Sequence, residues 1–269
     1  MFEQIYHKYL LHKNEENRKN RYEGEEDWYH ASGAGFCSRK LYFESVEKTE
    51  PTNTADDRNL RVMRLGTVLQ EEFENALLYY NNINNINNIN NTTNINNNCE
   101  VSIAEDCRQD CGFLVEGEIK LPEYNVRGFF DILYINRSSS GEQLSVELYD
   151  LKSASNWNFR KKFGSKILFP PENRNYNLQL GTYGLAIKKK YGSLNKMSLL
   201  FYNKDNSKMA EESVSLDFLD KAKRYWHSIN EEHSKGLPGF QYGTSPAYAW
   251  CCGYCQFKDR CNPPNFKNK

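Results

Sequence analysis

Two apolar, strand-length runs, Val126 to Ile135 and Leu144 to Ser153, are separated by Asn136 to Gly141, a stretch of Asn, Arg and Ser that ends in Gly. This pattern predicts a β-hairpin. Its acids constrain the fold most. Asp131 sits inside the first run, and Asp150 and Lys152 sit near the end of the second. Residues two apart on a strand share a face, so Val146, Leu148, Asp150 and Lys152 make a face that begins apolar and ends charged. Closing the hairpin brings Asp131 beside them, at the rim of a core. Two carboxylates taken out of water together repel, which is costly unless a cation neutralises them. A hard divalent ion with oxygen ligands and open water positions is the natural solution, most often magnesium. Such an ion polarises a phosphoryl oxygen and acidifies a bound water. A neighbouring lysine can orient that water and offset developing negative charge. The set suits phosphodiester hydrolysis. An isolated D-x-K is also a common structural ion pair, so the reading depends on the rest of the chain.

That rest reads as one α/β domain. Residues 1 to 30 suggest a polar helix and a connection. A helical segment is expected over Ser38 to Lys48, and a long helix over Asp56 to Tyr80, where Leu60, Met63, Leu69, Phe73 and Leu77 recur at helical spacing. Residues 81–98 repeat Asn-Asn-Ile. A period of three fits neither helix nor strand, so this tract reads as a low-complexity insertion in a surface loop. Further strands are expected at Glu100 to Ala104, Gly112 to Ile119 and Met197 to Asn203. Helices are expected at Asn175 to Tyr191 and Leu216 to Lys235, with an irregular basic stretch from Asn156 to Arg174. From Leu237 onward the chain is a Gly-, Pro- and Cys-rich tail.

In NYNLQLGTYGLAIKKKYG, Gln179 and Tyr183 stand four apart and therefore on one helix face. On its own, such a pair is commonly a half-buried hydrogen bond. Between Lys152 and this helix lie Arg160, Lys161, Lys162, Lys166 and Arg174, opposed only by Glu172, with Trp157 and Phe159 interleaved. The chain as a whole has 35 basic and 35 acidic residues, so any polyanion must be met by a local patch of this kind. Lys and Arg grip phosphates without reading sequence, and aromatic rings stack on unpaired bases. The candidate DNA contacts are Arg160, Lys161, Lys162, Lys166 and Trp157. A merely solvated face is the plainer alternative.

The order G-x-x-D (Gly128, Asp131), D-x-K (Asp150, Lys152), Q-x-x-x-Y (Gln179, Tyr183) resembles the RecB-like branch of the PD-(D/E)XK nuclease superfamily. The resemblance implies a restriction-endonuclease-like core, a central mixed sheet flanked by helices. It implies that Asp131, Asp150 and the Leu151 carbonyl bind Mg2+ or Mn2+. Lys152 would be the catalytic lysine, with Gln179 and Tyr183 supporting it or contacting DNA. That branch usually carries a His in a G-x-x-x-H segment of the upstream helix. Here Gly66 to Gln70 matches the segment, and Gln70 offers only an amide carbonyl to a hard cation.

The tail carries Cys252, Cys255 and Cys261 as C-x2-C-x5-C, three thiols that can wrap one metal centre and leave a fourth ligand to be found. The run around Cys37 and this spacing both resemble the CRISPR-associated exonuclease family, whose members join one N-terminal cysteine to three C-terminal ones around a [4Fe-4S] cluster. By that resemblance Cys37 is the fourth ligand, and the tail packs against the N-terminal region. Four thiolates suit zinc equally well. Cys251 lies next to the C-x2-C register, and Cys99, Cys107 and Cys111 read as incidental thiols.

The N-terminus lacks the apolar run of a signal peptide, and no stretch approaches the roughly 18 apolar residues of a spanning helix. The expectation is a cytoplasmic enzyme, in a host's cytoplasm if virus-encoded, with no membrane partner. It would be an exonuclease on single-stranded or end-containing DNA, with protein partners in recombination, replication or CRISPR adaptation. Two rivals stay open. One is a non-catalytic DNA-binding or scaffold protein on the same fold, which Gln70 favours. The other is a zinc protein whose tail docks a partner.

Overall fold

The computed structural model describes residues 1–22, 28–53, 56–83, 112–137, 144–164, 174–241 and 250–263. In chain order the elements are α1 (Phe2–Tyr22), β1 (Tyr29–His30), α2 (Ser38–Leu41, continued by a π-helical turn Tyr42–Val46), α3 (Asp57–Ile83), β2 (Gly112–Leu121), β3 (Val126–Arg137), β4 (Leu144–Ala154), α4 (Asn156–Phe163), α5 (Arg174–Tyr191), β5 (Lys196–Asn203), β6 (Met209–Val214), α6 (Asp217–His233), α7 (Trp250–Gly253) and α8 (Lys258–Cys261). No helix among the described residues is long and apolar enough to cross a membrane.

The strands form one mixed sheet. β2 pairs β3, β3 pairs β4 and β5 pairs β6, all antiparallel, whereas β4 and β5 run parallel. A parallel pair needs a crossover, and α4 and α5 lie in that connection. α5 then lies against β2, β3, β4 and β5, and Leu180, Tyr183 and Ile187 are buried at helical spacing along it. Beneath it Leu133, Val146, Leu148 and Leu199 have no exposure at all. Each such side chain contributes about 1.5–3 kcal/mol when fully buried. This is the expected architecture, a central mixed sheet with flanking helices.

The chain divides into two compact units, one of residues 30–35 and 69–225, the other of 1–29, 36–68 and 226–269. The first holds β2 to β6. The second is built around Leu41, Phe43, Trp226 and Phe257, all buried. In it Tyr29 stacks on Trp226 at 5.7 Å and pairs through its hydroxyl with His233 Nδ1 at 2.7 Å.

Several local expectations need correction. Residues 156–163 are not irregular but form α4. Ser155 caps it by accepting from the Asn158 amide, and Phe159 anchors it. The helix after Cys37 is shorter, closing in the π-helical turn that ends at Val46. β6 was unforeseen because the run MAEESV carries charge rather than apolar alternation. Among the described residues it pairs only with β5, and charged side chains such as Glu211 and Glu212 are typical of an edge strand. The Asn-Ile tract does not begin as a loop. Asn81 to Ile83 complete α3, and Asn81 is fully buried, donating to the Phe113 carbonyl at 2.7 Å and accepting from its amide at 3.1 Å. A side-chain amide thus replaces a strand partner for β2. Residues 84–98, the strand expected at 100–104, and Cys99, Cys107, Cys111 and Lys166 lie outside the described residues.

Candidate functional site

The acids line up because of strand register. β3 and β4 pair Ile132 with Tyr149 and Leu133 with Leu148, so one step further Asp131 falls opposite Asp150. Neither strand continues the ladder at that rung. Instead the Leu151 amide donates to Asp131 Oδ2 at 2.7 Å. Asp150 has no exposure, and Lys152 Nζ stands 2.5 Å from its Oδ2. Its other oxygen, Oδ1, is buried without a hydrogen-bond partner among the described residues.

The expected helix pair completes the set. Lys152 Nζ donates to Gln179 Oε1 at 3.3 Å, and Gln179 Nε2 donates to the Tyr183 hydroxyl at 2.9 Å. Lys152 also faces the Tyr176 ring, 4.9 Å from its centroid. Gly128 shows why that motif needs glycine: a Cβ there would stand 2.8 Å from Ala31 Cβ and 2.9 Å from Tyr183 Cε1. Gln70 reaches the site from α3, its Nε2 donating to Asp131 Oδ1 at 3.3 Å and more closely to Glu116 Oε1. The structure therefore brings Gln70, Asp131, Asp150, Lys152, Gln179 and Tyr183 together. Glu116 and Glu74, one helical turn beyond Gln70, are two further acids that motif reading missed. Counting the β2–β3 register outward from its turn would have found Glu116.

Burial, then repulsion from Asp150, pushes the Asp131 carboxyl well above the usual range, with Lys152 opposing. Burial works against charge on Lys152, but the Asp150 and Asp131 carboxylates outweigh it and hold the ammonium above its ordinary value. Burial, then Asp150's charge, likewise raises Tyr183. Glu74 is pushed up to about 7 by burial and by the negative charge of Glu116. A crowded set of carboxylates with an orphaned buried oxygen matches the donor chemistry of a hard divalent cation.

This crowding has a measurable sign. Asp131 and Glu74 hold protons in the folded chain that the unfolded chain releases above about pH 4.5. The native state therefore binds more protons through the window up to about 7, and stability falls as pH rises through it. The metal-free protein should show a lower Tm at pH 8 than at pH 5.5. Added Mn2+ should raise Tm more at pH 8. A flat profile in thermal denaturation would remove the electrostatic account.

The basic face is narrower than expected. Arg160 and Lys161 are exposed on α4, and Lys161 Nζ lies 3.5 Å from the centroid of the Trp157 ring, itself 65% exposed. Lys162 instead turns inward. It pairs with Glu212 and packs on the Phe201 ring at 4.8 Å.

The second unit holds the cysteines. A cavity of about 290 Å3 is lined by Cys37, Cys251, Cys252, Cys255 and Cys261 among apolar neighbours such as Phe36 and Phe43. All five thiols are free. Burial and the nearby Cys37, Cys255 and Cys261 push Cys252 up to about 11. Asn53 Nδ2 donates to the carbonyls of Gly253 and Cys255, and the Thr52 and Asn53 amides donate to the Gln256 carbonyl, fixing the C-x2-C loop. Arg39 Nε donates to Cys261 Sγ at 3.4 Å. Thiols gathered around an apolar cavity suit a thiophilic centre. Among the described residues, no three His, Cys, Asp or Glu side chains already stand close enough to grip a metal ion.

Comparison with known proteins extends the picture. The sequence profile of the PD-(D/E)XK nuclease superfamily matches residues 99–262, a span that holds every carboxylate–lysine and Gln–Tyr residue above except Gln70 and Glu74. The crystal structure of SSO0001 superposes with a TM-score of 0.53 and 18% identity, covering 99% of this chain and 100% of that one, which is a likeness of fold. No protein of curated function matches the chain.

Proposed function

The chain belongs to the PD-(D/E)XK nuclease superfamily, and from that premise we propose that it is a divalent-metal-dependent deoxyribonuclease, an exonuclease of single-stranded or end-containing DNA. The supporting observation is the pairing of Asp131 with the fully buried Asp150, with Lys152 held against Asp150. Asp131 and Asp150 are the residues that would hold Mg2+ or Mn2+, with Gln70 and the Leu151 carbonyl beside them. A bound ion supplies Lewis acidity to the phosphoryl group and acidifies water. Lys152, kept charged by the two carboxylates, offsets the charge that develops on the phosphate. Gln179, fixed by Tyr183, holds Nζ in place. Trp157, Arg160 and Lys161 give an exposed surface for a sugar-phosphate strand and its bases.

Cys37, Cys252, Cys255 and Cys261 are proposed to hold a [4Fe-4S] cluster whose role is structural. Its rival is zinc, and anaerobic purification separates them. Broad absorbance near about 400 nm means iron–sulfur; a colourless protein with stoichiometric zinc ends the cluster reading. The function itself is tested on end-labelled single- and double-stranded DNA with and without Mn2+. Metal-dependent shortening of either substrate is expected. DNA binding without cleavage would favour a non-catalytic protein, the reading that Gln70 supports.

A further inference from the structure

We infer that Glu116 is a further ligand of the divalent ion, so that three carboxylates from three neighbouring strands, Glu116, Asp131 and Asp150, hold it in one row. This rests on the nuclease reading above. The geometry begins with β2. It pairs with β3 as Val115 with Ile132 and Gly117 with Phe130. Glu116 therefore falls directly opposite Asp131, and Asp131 falls opposite Asp150 by the register with β4. Opposed residues of an antiparallel pair project to the same face at close range, and like charges there are destabilising. A row of three acids is thus an arrangement that a cation must repair.

The backbone departs from regularity at this rung. Glu116 has φ of 52°, in the left-handed region that a residue with a long side chain seldom adopts. The ladder between Gly112 and Leu121 is unmade only where Glu116 meets Asp131.

The Gln70 amide bridges two of the three acids. Its Nε2 donates at once to Asp131 Oδ1 and to Glu116 Oε1. An N–H donor held between two carboxylates occupies the place a cation would take. Turning the amide about its last bond brings the Gln70 carbonyl to the same point, as a neutral oxygen ligand of the kind magnesium and manganese accept. Asp150, with no exposure and Oδ1 without a hydrogen-bond partner among the described residues, stands at the far end of the row as an acceptor still unsatisfied. Glu116 is exposed, so the row runs from solvent to interior. Water and a phosphate can therefore reach the row from the Glu116 end.

The test is Mn2+ binding by the full chain, measured by isothermal titration alongside thermal denaturation without metal. Glu116→Gln keeps the length and the hydrogen bond to Gln70 but removes the charge. It should weaken Mn2+ binding by at least about tenfold, while the metal-free Tm stays level or rises because repulsion with Asp131 is relieved. A Glu116 that only braced Gln70 would give the reverse, unchanged Mn2+ affinity with a lower or unaltered Tm, and that result overturns the inference. Asp131→Asn serves as the reference. If it abolishes Mn2+ binding while Glu116→Gln does not, the inference alone fails. If Asp131→Asn also binds as tightly as the wild type, the metal-dependent reading of the site fails with it.

Discussion

Asp150→Asn should lower metal-dependent DNA cleavage by roughly 10^3-fold or more, while the chain stays folded. Asp150 is the most enclosed acid of the site, with one oxygen against Lys152 and the other without a hydrogen-bond partner among the described residues. Asparagine retains its shape but removes the charge that holds a cation. Folding survives because the asparagine carbonyl and Gln179 Oε1 still accept from Lys152 Nζ, so the ammonium is not left alone in the interior. Lys152→Ala should lose cleavage by a similar factor yet keep Mn2+ binding, since the lysine neutralises charge and supplies no ligand. Single-turnover cleavage of end-labelled DNA, paired with Mn2+ titration, reads both. Asp150→Asn cleaving within tenfold of the wild type would remove the residue from the chemistry. Loss of Mn2+ binding in Lys152→Ala would show that the lysine organises the carboxylates.

The second large effect concerns the cysteines. Cys252→Ala should abolish absorbance near about 400 nm and cost on the order of 5 kcal/mol of stability or more, because binding energy at such a centre is folding energy. Cys252 opens the C-x2-C pair, and burial together with the Cys37, Cys255 and Cys261 thiols raises its pKa. Cys251→Ala is the control. That thiol lines the same cavity but lies outside the C-x2-C spacing, so absorbance and stability should be retained. If the two variants behave alike in spectrum and in chemical denaturation, the ligand assignment is wrong.

What the sequence revealed depended on how local each signal was. The β3–β4 hairpin and the Gln179–Tyr183 helix were legible because period and chemistry fell within a few residues. Glu116 was not, because its meaning lies in a register set by the Pro122–Tyr124 turn and the left-handed Asn125 that follows it. α4 was obscured by its own charge, with Phe159 the main apolar anchor. Asn81 was hidden by composition: the first residues of a repetitive tract read as part of it, although one amide is spent on the backbone of Phe113. Lys162 looked like its neighbours because its acidic partner sits on β6, a strand the pattern did not announce.

The smaller unit is assembled from three separate stretches of chain, 1–29, 36–68 and 226–269. During synthesis the sheet-bearing unit is complete once Tyr225 has emerged from the ribosome. The other must wait until Cys261 is out, because its cavity wall joins the earliest and latest thiols. For that interval the Phe43 ring lacks Phe257 and is open to wrong associations. The proposed centre therefore cannot be completed until Cys261 is out, after the residues of the sheet-bearing unit have all been made.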